Sequence, residues 1–126
     1  MKQETEPYLR AQYTKPDGQM ICQVCQDALP FRLDDGSYYF EMVEFLREPD
    51  LQKRHYQNYL ALCPNHAAMF QHANGSSKEL KVLFQGMEGV ELAVVLAQEN
   101  TTIYFTKTHV FDLRTIVETE ASAQSI

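Results

Sequence analysis

All three cysteines of the chain fall into one spaced pattern with a histidine. Cys22 and Cys25 are separated by two residues, and Cys63 and His66 repeat that spacing later in the chain. A Cys-x2-Cys turn directs two thiolates toward one point, and a second turn of this kind supplies the other two ligands of a tetrahedral site. The pattern therefore predicts one zinc ion bound by these four side chains.

The predicted ligand set is closed, because three thiolates and one imidazole leave no position for water, so we expect a structural zinc ion. Two other interpretations stay open: Cys22 and Cys25 form a thioredoxin-like redox pair, or the cysteines are buried as hydrophobic residues. His55 or His72 can also replace His66 as the fourth ligand, but only His66 repeats the Cys-x2-Cys spacing.

The elements around the two pairs indicate the fold class. An Asp-Asp-Gly-Ser turn at 34–37 separates two segments rich in aromatic and β-branched residues, 29–33 and 38–43, which predicts a β-hairpin. Residues 65–73 are rich in alanine and predict a helix capped by Asn65. We call the turns that carry Cys22 and Cys25 and that carry Cys63 and His66 the first and second knuckle. A treble-clef (ββα-metal-like) zinc finger has a knuckle, a hairpin, a second knuckle and a helix in this order, so the predicted class is α+β.

The Asn74-Gly75-Ser76-Ser77 run is the clearest break in the chain. It predicts a zinc-binding domain at 1–75 and a small α+β segment at 76–126 that packs on it. The remaining predicted elements are a helix at 7–14, a loop at 44–57, a helix at 78–85 capped by Ser76 or Ser77, a hairpin formed by 90–97 and 101–106, a helix at 108–120 and a frayed end at 121–126. Residues 90–97 are apolar at both alternating sets of positions, so we expect that strand to be buried on both faces or covered by a partner chain.

Charge and hydropathy narrow the possible partners. The net charge is −6, with 7 Lys and Arg against 10 Asp and Glu in residues 1–77 and 4 against 7 in residues 78–126. The one basic cluster, Arg47, Lys53, Arg54 and His55, is small, so nucleic-acid binding is disfavoured. The N-terminus lacks a signal-peptide core, and no apolar run reaches the roughly 18 residues of a membrane helix. We therefore expect a cytoplasmic protein with no membrane contact.

The segment from Cys22 to His72 resembles the HNH endonuclease module. The resemblance is carried by Cys22-Gln23-Val24-Cys25, by Tyr39-Phe40-Glu41, and by the run from Asn58 through Cys63-Pro64-Asn65-His66. It implies that the two knuckles bind structural zinc and that Asn58 matches the asparagine that orients the family's active site.

The sequence departs from that family at the positions of its chemistry. Where the family has its general-base histidine, this chain has Met42-Val43-Glu44. Where the family has two histidines after the second knuckle, it has Ala67 and Gln71, with His72 one residue out of register. The resemblance therefore implies a degenerate module, in which Asn58, Glu44 and His72 are a possible vestigial active site and no residue is assigned as catalytic.

Three functions are consistent with these features. The first is a non-catalytic structural-zinc module that acts as an interaction or scaffold domain for a protein partner, within a larger nucleic-acid-related system. The second is a divergent metal-dependent nuclease that uses His55, Glu44 or His72 as an unconventional base. The third is a zinc finger that binds nucleic acid without cleavage. We favour the first, because the ligand set is closed, the charge is acidic and the usual base is missing.

Overall fold

The computed structural model describes residues 2–124, apart from the side chains of the first and last of these. The fold is α+β, with four helices and two small antiparallel sheets of two strands each within that range. In chain order the elements are α1 (Lys2–Tyr13), β1 (Glu41–Glu44), β2 (Tyr59–Leu62), α2 (Pro64–His72), α3 (Leu80–Gln85), β3 (Glu91–Leu96), β4 (Glu99–Tyr104) and α4 (Lys107–Gln124). No helix among the described residues is both long and apolar enough to cross a membrane.

The sheet of β1 and β2 leads directly into the second ligand pair. Glu41 lies opposite Leu62 and Glu44 lies opposite Tyr59 in an antiparallel register. Cys63 follows β2 immediately, and α2 begins one residue later. Because the first strand is held by the second, the sheet fixes where the second knuckle and the first turn of α2 lie.

The predicted hairpin of 29–33 with 38–43 forms only in part. Only the bridge between Arg32 and Tyr38 joins these segments as β-structure, and the second segment continues into β1, which pairs with β2. The Asp-Gly turn forms as predicted, with Gly36 at a φ of +88°. The turn closes only a short protrusion at 29–40, which we call the finger and whose tip is exposed. The strand β1 pairs with 59–62 instead, because those residues are largely apolar and buried, whereas 30–33 are exposed.

The helix ends also correct the predictions. Helix α1 begins at Lys2, five residues before the predicted start, and places Pro7 in its interior. The amide that Pro7 lacks would have bonded to a carbonyl of the exposed first turn, where water can replace the bond. Helix α4 extends through Gln124, so 121–124 are helical and do not fray, whereas 125–126 lie outside the described residues.

Two predicted helix caps are replaced by other residues. Cys63, and not Asn65, is the N-cap of α2, and its side chain accepts a hydrogen bond from the His66 amide. Helix α3 has Glu79 at its N-cap without a side-chain hydrogen bond. The hydroxyl of Ser76 instead accepts from the amide of Val95, so this serine ties the loop to β3.

The second hairpin forms from β3 and β4, but β4 begins at Glu99, two residues before the predicted strand of 101–106. Its burial differs from the prediction, because β3 alternates between a buried and a more exposed face. Leu92, Val94 and Leu96 are buried, whereas Ala93 is exposed and Val95 is half-buried. Small side chains on the outer face leave little apolar surface exposed, so one covered face suffices.

One hydrophobic cluster contains residues from both predicted segments. At its centre the ring of Phe45 meets the rings of Phe84 and Phe105 at centroid separations of 5.6 and 5.5 Å. The last two lie 5.7 Å from each other. Residues 76–126 therefore pack on Phe45, the residue that follows β1, and the core extends across the Asn74–Ser77 break.

A buried histidine joins α1 to α4. The Nε2 of His109 lies 2.8 Å from the Gln57 carbonyl oxygen, which can only accept, so Nε2 carries the proton. The Nδ1 atom therefore accepts from the Tyr13 hydroxyl at 2.5 Å. Burial lowers the pKa of His109 to about 4, which keeps the imidazole neutral.

This histidine should make the protein sensitive to acid. In the unfolded chain His109 protonates near pH 6.5, but in the fold it does so only near pH 4. The unfolded state therefore takes up the proton first as the pH falls, and stability that is complete above about pH 6.5 decreases by about 3 kcal/mol on reaching pH 4.

Urea unfolding at a series of pH values would measure this loss. The variant His109→Gln keeps an acceptor and a donor but does not titrate, so its stability should fall less steeply over that range. The exposed His72→Gln change is the control and should retain the wild-type slope. Equal slopes for His109→Gln and wild type would contradict the assignment.

Candidate metal centre

The structure brings the four predicted ligands together. The sulfur atoms of Cys22, Cys25 and Cys63 and a ring nitrogen of His66 all lie within 4.8 Å of one another. The first two come from the turn after α1, the third from the junction of β2 and α2, and the fourth from the first turn of α2. Among the described residues, this is the one group of three or more Cys, His, Asp and Glu side chains arranged to hold a metal ion.

The separations suit a tetrahedral ion. The Nδ1 atom of His66 lies 3.7 Å from the sulfur of Cys22 and 3.3 Å from that of Cys63. Ligands at typical zinc–sulfur and zinc–nitrogen distances, placed at tetrahedral angles, stand about 3.5 Å apart. The residues present therefore fit a four-coordinate ion bound through Nδ1.

The first knuckle is a tight turn stabilised by its own backbone. The Gln26 amide donates to the Cys22 carbonyl at 2.9 Å, and Gln26 adopts a φ of +58°, which reverses the chain. The Val24 amide points at the Cys22 sulfur at 3.4 Å. In the second knuckle the His66 amide points at the Cys63 sulfur at the same distance. Amide donors and the N-terminus of α2 favour the thiolate form that a metal requires.

Burial changes the pKa of two of the four side chains, Cys22 and His66. Desolvation raises the pKa of the Cys22 thiol to about 12, so without a cation that thiol is neutral. Desolvation also lowers the pKa of His66, which leaves its lone pair free for a metal at neutral pH. A divalent cation replaces the protons of the thiols, and metal binding must therefore weaken in acid.

The residue that sequence reasoning missed is Gln23, which lies between the two ligands of the first knuckle. Its side chain is buried, with Oε1 accepting from the Ala61 amide at 2.7 Å and Nε2 donating to the Tyr104 carbonyl at 2.8 Å. Its backbone bonds to the same two residues, donating to Ala61 and accepting from Tyr104. Gln23 thus fastens the first knuckle to β2 and β4. Only its position between two ligands hinted at this role.

The three residues of the possible vestigial site have separate environments. Asn58 is buried, and its amide group bonds at both ends to the backbone of Leu46: Oδ1 accepts from the amide at 3.0 Å and Nδ2 donates to the carbonyl at 2.7 Å. Glu44 is the half-buried last residue of β1, and His72 is the exposed last residue of α2. The asparagine side chain is therefore fully engaged in holding the loop after β1.

A cleft of about 610 Å³ lies beside the end of α2. Phe45, Phe70 and Leu80 form its apolar part, and His72 lines it together with charged residues of both signs. Asn58 and Glu44 are not among the lining residues. The cleft thus contains one member of the vestigial set without the other two.

His55 and His72 do not join the metal cluster, so neither replaces His66 as the fourth ligand. The Nε2 of His55 lies 2.8 Å from a carboxylate oxygen of Glu120 on α4. That carboxylate also accepts from the amides of Gln52 and Lys53. Desolvation acts to raise the pKa of Glu120, but these hydrogen bonds outweigh it and the pKa is lowered. His55 is therefore part of an anchor between the loop and α4, and is not a freely solvated residue.

Comparison of the chain with family models, with curated proteins and with solved structures found no match.

Loss of the Gln23 side chain should weaken both the fold and the metal site. In Gln23→Ala the Ala61 amide and the Tyr104 carbonyl lose their buried partners, which should cost about 3 kcal/mol of unfolding free energy. Zinc affinity should fall on the order of tenfold, because the first knuckle loses a tie that positions it. Gln85→Ala, at an exposed position of α3, is the control. Denaturant unfolding and competition with a zinc chelator would measure the two effects, and a Gln23→Ala protein that matches this control in both would refute the role.

Proposed function

We propose that the chain binds one structural zinc ion through Cys22, Cys25, Cys63 and His66, and acts as a non-catalytic interaction or scaffold module. The observation that carries the proposal is the convergence of a closed set of four ligands at tetrahedral separations. Zinc is the ion proposed, because three thiolates with one imidazole match its preference and the tetrahedral shell leaves no position for a reacting water.

The proposed fold of this module is a treble clef of the HNH-like kind. In support, a knuckle is followed by two paired strands, a second knuckle and a helix whose first turn carries the last ligand. Asn58 precedes the second strand, at the place where the HNH resemblance puts its asparagine. The proposal thus keeps the predicted architecture but takes β1 and β2 as its hairpin.

Against catalysis stand the environments of the side chains that a nuclease would need. The segment Met42-Val43-Glu44 stands where the HNH resemblance implies a general-base histidine. His55 is paired with Glu120, and both ends of the Asn58 amide bond to Leu46. A nuclease also needs a second cation with an open coordination position, for which the described residues offer no further group of three ligands. A divergent nuclease is therefore the weaker candidate. A nucleic-acid-binding finger is disfavoured by the net charge of −6.

The part of the molecule that we propose meets a protein partner is the finger at 29–40. Phe31 and Leu33 are 50% and 42% exposed, and the Phe31 ring stacks on that of Tyr39 with centroids 5.1 Å apart. Asp34 and Asp35 stand exposed at the turn. An apolar face with an acidic tip is complementary to an apolar groove edged by basic residues.

The zinc proposal predicts about one zinc ion per chain, purified without added metal and measured by elemental analysis. Cys63→Ser should lose the ion and melt at a lower temperature, because a structural zinc site contributes on the order of 10 kcal/mol to folding, partly offset by chain ordering. Wild-type protein should not cleave plasmid DNA with added Mg²⁺ or Mn²⁺. The control Ser77→Ala, at an exposed loop position, should keep the metal. Protein that binds no zinc, or cleavage that disappears in Glu44→Gln, would overturn the proposal.

The finger proposal predicts a separation of stability from binding. Phe31→Ser combined with Leu33→Ser should keep the zinc content and melting temperature, because both side chains are largely in solvent. Partners cross-linked to the wild-type protein in cell extract should be lost from this variant. Cross-linking to the wild-type protein should also decrease when the reaction is carried out in high salt. Val82→Ser removes a side chain that is 71% exposed on α3, and should retain them. Identical cross-linked proteins from both variants would exclude the finger as the contact.

A further inference from the structure

The three cysteines of the metal centre differ in their access to solvent. Cys22 is fully buried, Cys63 is half-buried, and Cys25 is exposed. A small polar oxidant in solution therefore reaches the sulfur of Cys25 more readily than the other two. Oxidation of cysteine follows thiolate character and exposure, and a metal ion keeps all three residues in the thiolate form.

Hydrogen bonding separates the same three sulfur atoms. The Val24 amide points at the sulfur of Cys22, and the His66 amide points at that of Cys63. Among the described residues, no hydrogen bond reaches the Cys25 sulfur. Amide donors draw electron density from a thiolate and make it a weaker nucleophile, so Cys25 keeps the most reactive electron pair of the set.

We propose that Cys25 is an oxidation site through which hydrogen peroxide opens the metal centre. The inference rests on the proposed zinc site, and it assigns a redox-sensitive regulation to that site. The sulfur atoms of Cys22 and Cys63 lie within 4.8 Å of that of Cys25 and supply the second thiolate. An exposed thiolate next to a resolving cysteine is the arrangement of redox-sensing sites.

The reaction has two steps. The Cys25 thiolate attacks one oxygen of peroxide, so an S–O bond forms, the O–O bond breaks, and the departing hydroxide takes a proton to become water. A neighbouring thiolate then attacks the sulfenic sulfur, so an S–S bond forms and a second hydroxide leaves as water after protonation. Two thiolates are oxidised by two electrons in all, and one peroxide is reduced to two waters.

The disulfide removes two of the four ligands. The remaining thiolate and the imidazole of His66 cannot fill a tetrahedral shell, so the ion is released. A thiol reductant restores the thiolates, and the centre can then bind zinc again.

The experiment uses zinc-loaded wild-type protein of the full chain. Peroxide is added in steps, released zinc is read with a colorimetric chelator, and peptide mass spectrometry locates the disulfide after alkylation of free thiols. Dimedone added with the peroxide traps the first sulfenic acid. We expect dimedone on Cys25, release of bound zinc in proportion to disulfide, a disulfide that includes Cys25, and renewed zinc binding after reduction.

Cys25→His replaces the exposed thiolate by a ligand that does not form a disulfide, and it should release zinc on the order of tenfold more slowly with peroxide. Ser77→Ala, at an exposed loop position outside the metal centre, is the control and should release zinc at the wild-type rate. Elemental analysis before the experiment checks that each variant carries the ion.

The outcomes separate this inference from the function on which it rests. Wild-type protein that carries no zinc overturns the zinc proposal itself. A zinc-loaded protein in which dimedone marks Cys22 or Cys63 first, or which retains its zinc after disulfide formation, overturns the inference and leaves the structural-zinc proposal intact. The trapping result on wild-type protein decides this even if a variant fails to fold.

Discussion

The attachment of the first knuckle to β2 and β4 through Gln23 is the interaction on which the metal centre depends. The two ligand pairs come from distant parts of the chain, and β2 carries the second pair at its end. Gln23 bonds to Ala61 within β2 through both its backbone and its side chain, so the first pair is held against the strand that delivers the second. The same residue reaches Tyr104 of β4. The packing of the C-terminal segment and the geometry of the ligands are therefore linked through one buried amide.

The sequence predicted which side chains converge better than it predicted the strands. Spacing alone grouped Cys22, Cys25, Cys63 and His66, because a short Cys-x2-Cys turn constrains its own geometry. The strand β1 pairs with a segment that is distant in the chain, and the pairing depends on which segment buries more apolar surface. The local turn at 34–37 therefore predicted the wrong partner for β1. Gln23 escaped notice for the same reason, since its partners Ala61 and Tyr104 are distant in the chain and a glutamine carries no periodic signal. The second hairpin and α4 were predictable, because each is built from neighbouring residues.

Asn58 serves the fold at the position where the HNH resemblance of the sequence implies an active-site residue. The HNH resemblance assigns this asparagine to an active site, and the structure gives both ends of its amide to the backbone of Leu46. That bonding fixes the loop after β1. Phe45, the first residue after β1, also donates its amide to the Asn58 carbonyl. The bonding of Asn58 to Leu46 gives this asparagine a structural role that requires no catalysis. The presence of Asn58 is thus weak support for nuclease activity, and the surroundings of Glu44, His55 and His72 carry more weight.

This small fold has two sources of stability, which lie in different parts of the molecule. The rings of Phe45, Phe84 and Phe105 and the buried His109 with Tyr13 join the sheets and helices without the metal ion. The zinc proposed at the knuckles would instead fix the turn of Cys22 and Cys25 to the start of α2. Loss of the ion then loosens chiefly the knuckles and the finger between them, while the aromatic core retains its own contacts. The finger is also the part proposed to meet a partner, so metal occupancy and partner binding would be coupled through the knuckle at its base.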